Sequence, residues 1–207
     1  MIEIKNLTKQ YKAGHPIFAG FTKTFKQGMA VGVVGPNGSG KTTFLRILSV
    51  NSFPTEGTVK YKNIDIHKEP AEYLKYVGLV HDEETLPDHL TASELLEWVL
   101  RNRKRWDASS TKKIEDIFDH LSLDARNEQI GTFSTGMKKK TQIAAALISN
   151  PELLIMDEPL RGLDKETRAV VMELLSNAKS KNTTIFMSSH YVSEENALFD
   201  EMIQFPL

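Results

Sequence analysis

Nine residues, Gly35 to Thr43, read GPNGSGKTT, and they stand between the apolar run Met29 to Val34 and the positions Phe44, Leu45, Ile47 and Leu48, which share one helix face. The order is strand, glycine-rich loop, helix, the context that makes such a loop a phosphate cradle. Gly35, Pro36, Asn37, Gly38, Ser39 and Gly40 form the turn. Its glycines let backbone N–H groups from Asn37 to Lys41 face inward around a β-phosphate, helped by the positive end of the helix. Lys41 reaches the β- and γ-phosphates, the Thr42 hydroxyl ligates Mg²⁺, and Thr43 touches the α-phosphate.

The rest of the chain reads as α/β. Met1 to Leu7, Phe21 to Phe25, Thr58 to Tyr61 and Ile64 are short alternating pieces, expected as an antiparallel sheet beside the first phosphate-binding strand. From about 83 to 150 the pattern is helical. Thr91 and Glu94 form a capping box, Ile114, Ile117, Phe118 and Leu121 follow helical spacing, and a third helix runs from about Gly136 to Ser149. Lys138 to Lys140 reads as a solvated helix face. Leu153 to Met156 and Thr183 to Met187 are buried strands joined by a helix from Lys165 to Lys181 with Asp164 as N-cap, which implies a parallel crossover. Ligands in such sheets sit at the carboxyl ends of strands, so Gly35, Asp157 and His190 surround one site.

Leu153 to Pro159, LLIMDEP, ends its strand on two acids. Asp157 at the strand tip can hold Mg²⁺ through a water, and Glu158 can accept a proton from an attacking water. His190 is the histidine whose position matches the γ-phosphate; His15, His67, His89 and His120 read as surface or turn residues.

Composition narrows the classes. The formal net charge of -1 argues against a nucleic-acid binder working through a basic face. With Cys 0, disulfides, cysteine zinc sites and a thiol nucleophile are excluded. No apolar stretch approaches the roughly 18 residues needed to cross a bilayer.

Together these motifs resemble the nucleotide-binding subunits of ATP-binding-cassette (ABC) transporters, over nearly all of residues 1 to 205. In the family's order they are Tyr11 as the base-stacking aromatic, GPNGSGKTT as Walker A, FSTGMKKK from Phe133 as the signature, LLIMDEP as Walker B, RGLD from Arg161 to Asp164 as the D-loop, and SSH ending at His190 as the switch. The resemblance implies one domain over 1–207: a P-loop NTPase (RecA-like) core with an antiparallel β subdomain over about 1–82 and 151–207, and an inserted helical subdomain over about 83–150. It implies a Mg²⁺-dependent ATPase with Lys41, Glu158 and His190 as catalytic residues. Tyr11 and Asp164 contact ATP. The metal set is Thr42, Asp157 and Asp82.

Two copies, as a homodimer or a heterodimer, would sandwich two ATP molecules, with Ser134 and Gly136 gripping the γ-phosphate bound by the partner. Separate transmembrane permease subunits would hold the protein at the cytoplasmic face of a membrane, their coupling helices docking near Asp82 to Leu90. A soluble member of the superfamily acting on ribosomes or DNA is the alternative.

The sequence departs from the family at three places. Thr135 and Met137 replace a glycine and a glutamine of the signature, as in bacterial exporters of this family. Asp82 stands where a glutamine is expected after the strand Tyr76 to Val80. Leu160 and Arg161 stand at the entrance to the D-loop, where small residues are common.

Overall fold

Strands with unbroken apolar runs need cover on both faces, and the computed structural model, which describes residues 1–83, 85–189 and 197–207, shows how that cover is divided. β3 (Ala30–Val34), β6 (Val77–Val80), β7 (Leu153–Met156), β8 (Thr184–Ser189) and β9 (Glu201–Gln204) form a parallel sheet in the order β6-β7-β8-β3-β9. Side chains alternate across it. Val31, Val33, Leu153, Ile155 and Phe186 join one core; Ala30, Leu154, Met156, Ile185 and Met187 join the other.

The first core is closed by α1 (Lys41–Leu48) and by a four-stranded antiparallel sheet. That sheet contains β1 (Ile2–Lys12), β2 (His15–Phe25), β4 (Glu56–Tyr61) and β5 (Ile64–Asp65), in the order β2-β1-β4-β5. The first two strands run longer than their alternation predicts. Asn6 adopts φ 49 at an irregularity in the β1–β2 register between Ile4 and Leu7, so Leu7, not Asn6, follows Ile2 and Ile4 into the core. Beyond it, β1 and β2 are largely exposed, which hides them from a pattern argument. A four-residue helix, α2 (Pro70–Tyr73), leads into β6.

The second core is covered by α3 (Ala92–Asn102), α4 (Ser110–His120), α5 (Thr135–Leu147) and α6 (Lys165–Ser180). The Thr91–Glu94 capping box is formed, with Glu94 N–H donating to Thr91 Oγ1 at 3.1 Å and Thr91 N–H to Glu94 Oε2 at 2.8 Å. The bond from Thr91 N–H, with the Thr91 hydroxyl beside it, holds the Glu94 carboxyl pKa below its ordinary value. Asp164 caps α6, its Oδ1 accepting from Thr167 N–H at 2.8 Å. Trp98 on α3 is 59% exposed, and Trp106, just beyond α3, carries the Arg101 guanidinium 4.3 Å above its ring. Among the described residues no helix is long and apolar enough to cross a membrane.

Candidate nucleotide site

The site is assembled where β3 and β7 end. Gly35 and Gly40 take φ 152 and 107, and a Cβ on either would lie 2.5 Å from Phe205 O or Ile17 Cγ2 respectively. Only glycine lets the loop press so closely on β2 and on Phe205, just after β9. The loop is pinned by a Ser39 N–H to Pro36 O bond of 3.3 Å and then enters α1, whose N-terminus no side chain caps. Ser39 Oγ is buried with no hydrogen-bond partner. Uncapped amides and an orphaned hydroxyl beside a glycine cradle fit an anion at this helix end.

Lys41 is 5% exposed and its Nζ donates to the carbonyls of Gly35 at 2.7 Å and Pro36 at 2.9 Å. Burial pulls its pKa below the ordinary lysine value, while Glu158 and Asp157 across the site oppose that shift. Thr42 and Thr43 are half-buried in the first turn of α1. Pro36, Asn37 and Gly38 are exposed.

Asp157 is 6% exposed, its backbone N–H bound to Val80 O at 2.8 Å. Ser188 Oγ, from the end of β8, donates to Asp157 Oδ1 at 2.6 Å and accepts from Glu158 N–H at 2.8 Å. Glu158 itself sits in the left-handed region at φ 47. That conformation is unusual for a residue with a side chain and fixes where its carboxylate emerges. Ser188 is a site residue that sequence reasoning passed over. The available signal was a hydroxyl at the end of a buried strand, directly after Ile185, Phe186 and Met187.

Asp82 follows β6 and faces the same end of the sheet. Arg161 Nη1 lies 2.7 Å from Asp82 Oδ1 and 3.3 Å from Glu158 Oε2, which gives Arg161 the physical account its sequence position lacked. Burial raises the Asp82 pKa, with Arg161 opposing and the charges of Glu158 and Asp157 adding to the rise.

The lysine run of α5 departs from the solvated face expected of it. Lys139 is fully buried and donates to His81 O at 2.8 Å and Asp82 O at 3.1 Å; Lys138 pairs with Asp88 at 3.1 Å, and Lys140 donates to Ser122 O at 3.3 Å. Gln142 Nε2 adds a bond to Glu83 O at 2.7 Å. The reason is topological. The 81–83 segment leaves β6 with unpaired carbonyls, and α5 crosses over it with donors on the facing side.

At the start of that helix Ser134 is exposed and caps α5 by accepting from Met137 N–H at 3.3 Å. Gly136 is close to the turn before α6: a Cβ there would lie 3.5 Å from Gly162 O. Tyr11 lies near the end of β1, 67% exposed, with Lys9 Nζ 4.7 Å from its ring centroid. Asp164 spends both carboxylate oxygens on Thr167, from its N–H and Oγ1 at 2.8 Å each. His190 lies outside the described residues.

A cavity of about 270 Å³ opens between α1 and residues 81–83 and 85, lined by Arg46, Asn51, His81, Asp82, Thr85 and Asp157 among others. Burial pulls His81 below the ordinary histidine pKa. Among the described residues no three carboxylate or imidazole groups gather into a cage for a metal. The donors at hand, the Thr42 hydroxyl and the buried Asp157 carboxylate, are hard oxygens. They suit a Mg²⁺ bound mainly by phosphates and water with one or two side chains.

Residues 18–161 match the family described as ABC transporter. The ABC transporter ATP-binding protein NatA of Bacillus subtilis (strain 168) is 37% identical over 186 residues, 87% of this chain and 74% of that protein. The bacitracin transport ATP-binding protein BcrA of Bacillus licheniformis is 35% identical over 207 residues, 98% of this chain and 65% of that protein. Among solved structures, a dimeric bacterial ABC transporter cassette superposes with a TM-score of 0.88 at 29% identity, over 99% of this chain and 94% of that one. A dimeric cassette in a post-hydrolysis state, bound to ADP and Pi, gives 0.86 at 28% identity, over the same 99% and 94%.

Proposed function

Because the chain belongs to the ABC transporter family, we propose that it is the ATP-binding and ATP-hydrolysing subunit of an exporter-type transporter, energising transport through separate transmembrane subunits. The observation that carries this reading is the uncapped, glycine-walled start of α1 with Lys41 facing a strand end that bears Asp157 and Glu158. An anion cradle opposite two acids is what a metal-bound triphosphate requires.

Lys41 exchanges the Gly35 and Pro36 carbonyls for the β- and γ-phosphates. Backbone amides of the loop and the hydroxyls of Thr42 and Thr43 orient the phosphate chain, with Tyr11 stacked on the base. Thr42, Asp157 and Asp82 would hold Mg²⁺, directly or through water, and the metal would supply positive charge against the phosphates. Ser188 fixes the Asp157 oxygen and the Glu158 backbone. Glu158 takes the proton from the attacking water, and His190 contacts the γ-phosphate. Ser134 and Gly136 of each copy complete the partner's site, with Asp164 beside it, so ATP draws two copies together and hydrolysis releases them.

The names of NatA and BcrA, together with the dimeric cassettes, support the transporter setting, at the cytoplasmic face of a membrane through permease subunits. Glu158→Gln tests the assignment. Turnover is expected to fall by about 10²–10⁴-fold with ATP affinity retained. The ATP-bound dimer should outlast that of the wild type in light scattering after size exclusion. Wild-type turnover in this variant would remove Glu158 as the base.

A further inference from the structure

Two departures from the family pattern, Asp82 in place of a glutamine and Arg161 in place of a small residue, meet in space. One guanidinium nitrogen lies 2.7 Å from Asp82 Oδ1 and 3.3 Å from Glu158 Oε2, so Arg161 ties the segment after β6 to the turn after β7. A small side chain at 161 would reach neither acid. A glutamine at 82 would offer no charge to anchor the arginine. Glu158 and Asp82 are partly enclosed, with side chains 13% and 32% exposed, while Arg161 keeps 59% of its side chain in solvent. The arginine therefore closes over the acids from outside. Among the described residues Lys41 and Lys139 also face these acids, Lys41 with its Nζ donating to the Gly35 and Pro36 carbonyls and Lys139 with its Nζ donating to the His81 and Asp82 carbonyls.

We propose that Arg161, anchored on Asp82, is a positioning residue for Glu158 and a cation that helps balance the Asp82, Asp157 and Glu158 cluster whenever Mg²⁺ is absent. Asp82 and Arg161 then form a single feature of this cassette. The inference rests on the ATPase reading above. Without Mg²⁺, ATP brings further negative charge toward three carboxylates, and Arg161 offsets that repulsion; with Mg²⁺ present the offset is redundant.

The test is calorimetric titration with ATP, once in chelator and once with Mg²⁺, on wild type, Arg161→Gln and Arg161→Lys. Arg161→Gln is expected to weaken Mg²⁺-free binding about fivefold, the scale of one partly exposed ion pair, and to change Mg²⁺-ATP binding less than about twofold. Arg161→Lys should keep the wild-type ratio. An equal change in both affinities, or none, would overturn the charge-balancing role. Amide hydrogen exchange of the nucleotide-free protein tests the anchor separately: Asp82→Asn and Arg161→Gln should each speed exchange across residues 158–164. Unchanged exchange in both variants sinks the anchor. If the wild type binds no ATP at all, the ATPase reading falls, while the exchange measurement still decides whether Asp82 holds Arg161.

Discussion

One hydroxyl, that of Ser188, fixes two acids at once, donating to Asp157 Oδ1 and accepting from the Glu158 amide. Its removal leaves a poorly solvated N–H at a residue already in a strained conformation, a loss of about 1–3 kcal/mol. Ser188→Ala is therefore expected to lower the unfolding free energy from denaturant titration by that amount and to slow ATP turnover more than it weakens ATP binding. An unfolding free energy unchanged within about 0.5 kcal/mol would show that the hydroxyl does not fix the acids. At this scale the sequence was informative where chemistry is contiguous. The loop from Gly35 to Thr43 and the acids Asp157 and Glu158 lie within short runs whose residue types state their purpose. Ser188, Arg161 and Lys139 were opaque because their partners are set by which strands become neighbours. A lysine in a run of three looks solvated until the helix above His81 and Asp82 is in place.

Among the elements, α5 links the residues proposed to grip the partner's nucleotide to the segment after β6. Ser134 caps α5 and Gly136 lies in its first turn, and about one and two turns further on Lys139 and Gln142 hold the carbonyls of residues 81–83. A movement of this helix is thus passed to the segment bearing Asp82. Lys139→Met keeps the volume but leaves two carbonyls without their charged donor, a cost of about 1.5–3 kcal/mol. The variant should lose that much stability, and hydrogen exchange should rise across 81–83 and not in α6; an equal rise in both would mean global loosening. The parallel strands β3, β7 and β8 were legible as apolar runs, and α3 and α6 by their caps. The outer halves of β1 and β2 were not, because half-exposed strands carry no clean alternation and the bulge at Asn6 reverses it.

For the whole molecule, stability should depend on pH through histidines held neutral in the folded state. His67 is half-buried, its Nε2 3.2 Å from Ser52 O and its ring 5.3 Å from that of Phe53. Burial outweighs the opposing hydrogen bond and Asp65, so its pKa lies below the ordinary 6.5. The unfolded chain then binds the proton more tightly. Stability from this group is complete above pH 6.5 and is lost as pH falls through the lower folded value. His81 acts in the same direction. Thermal midpoints measured from pH 7 to 5 should fall in the wild type and fall less steeply in His67→Gln; equal slopes would show that His67 does not contribute.

Both tryptophans of the chain, Trp98 and Trp106, belong to the region of α3, and none lies beside the phosphate loop. Intrinsic emission excited in the indole band is thus a built-in, label-free gauge of the helical region alone. Trp98, facing solvent, would register whatever settles on that surface, and its red-shifted light would stay unchanged by events confined to the opposite side of the parallel sheet.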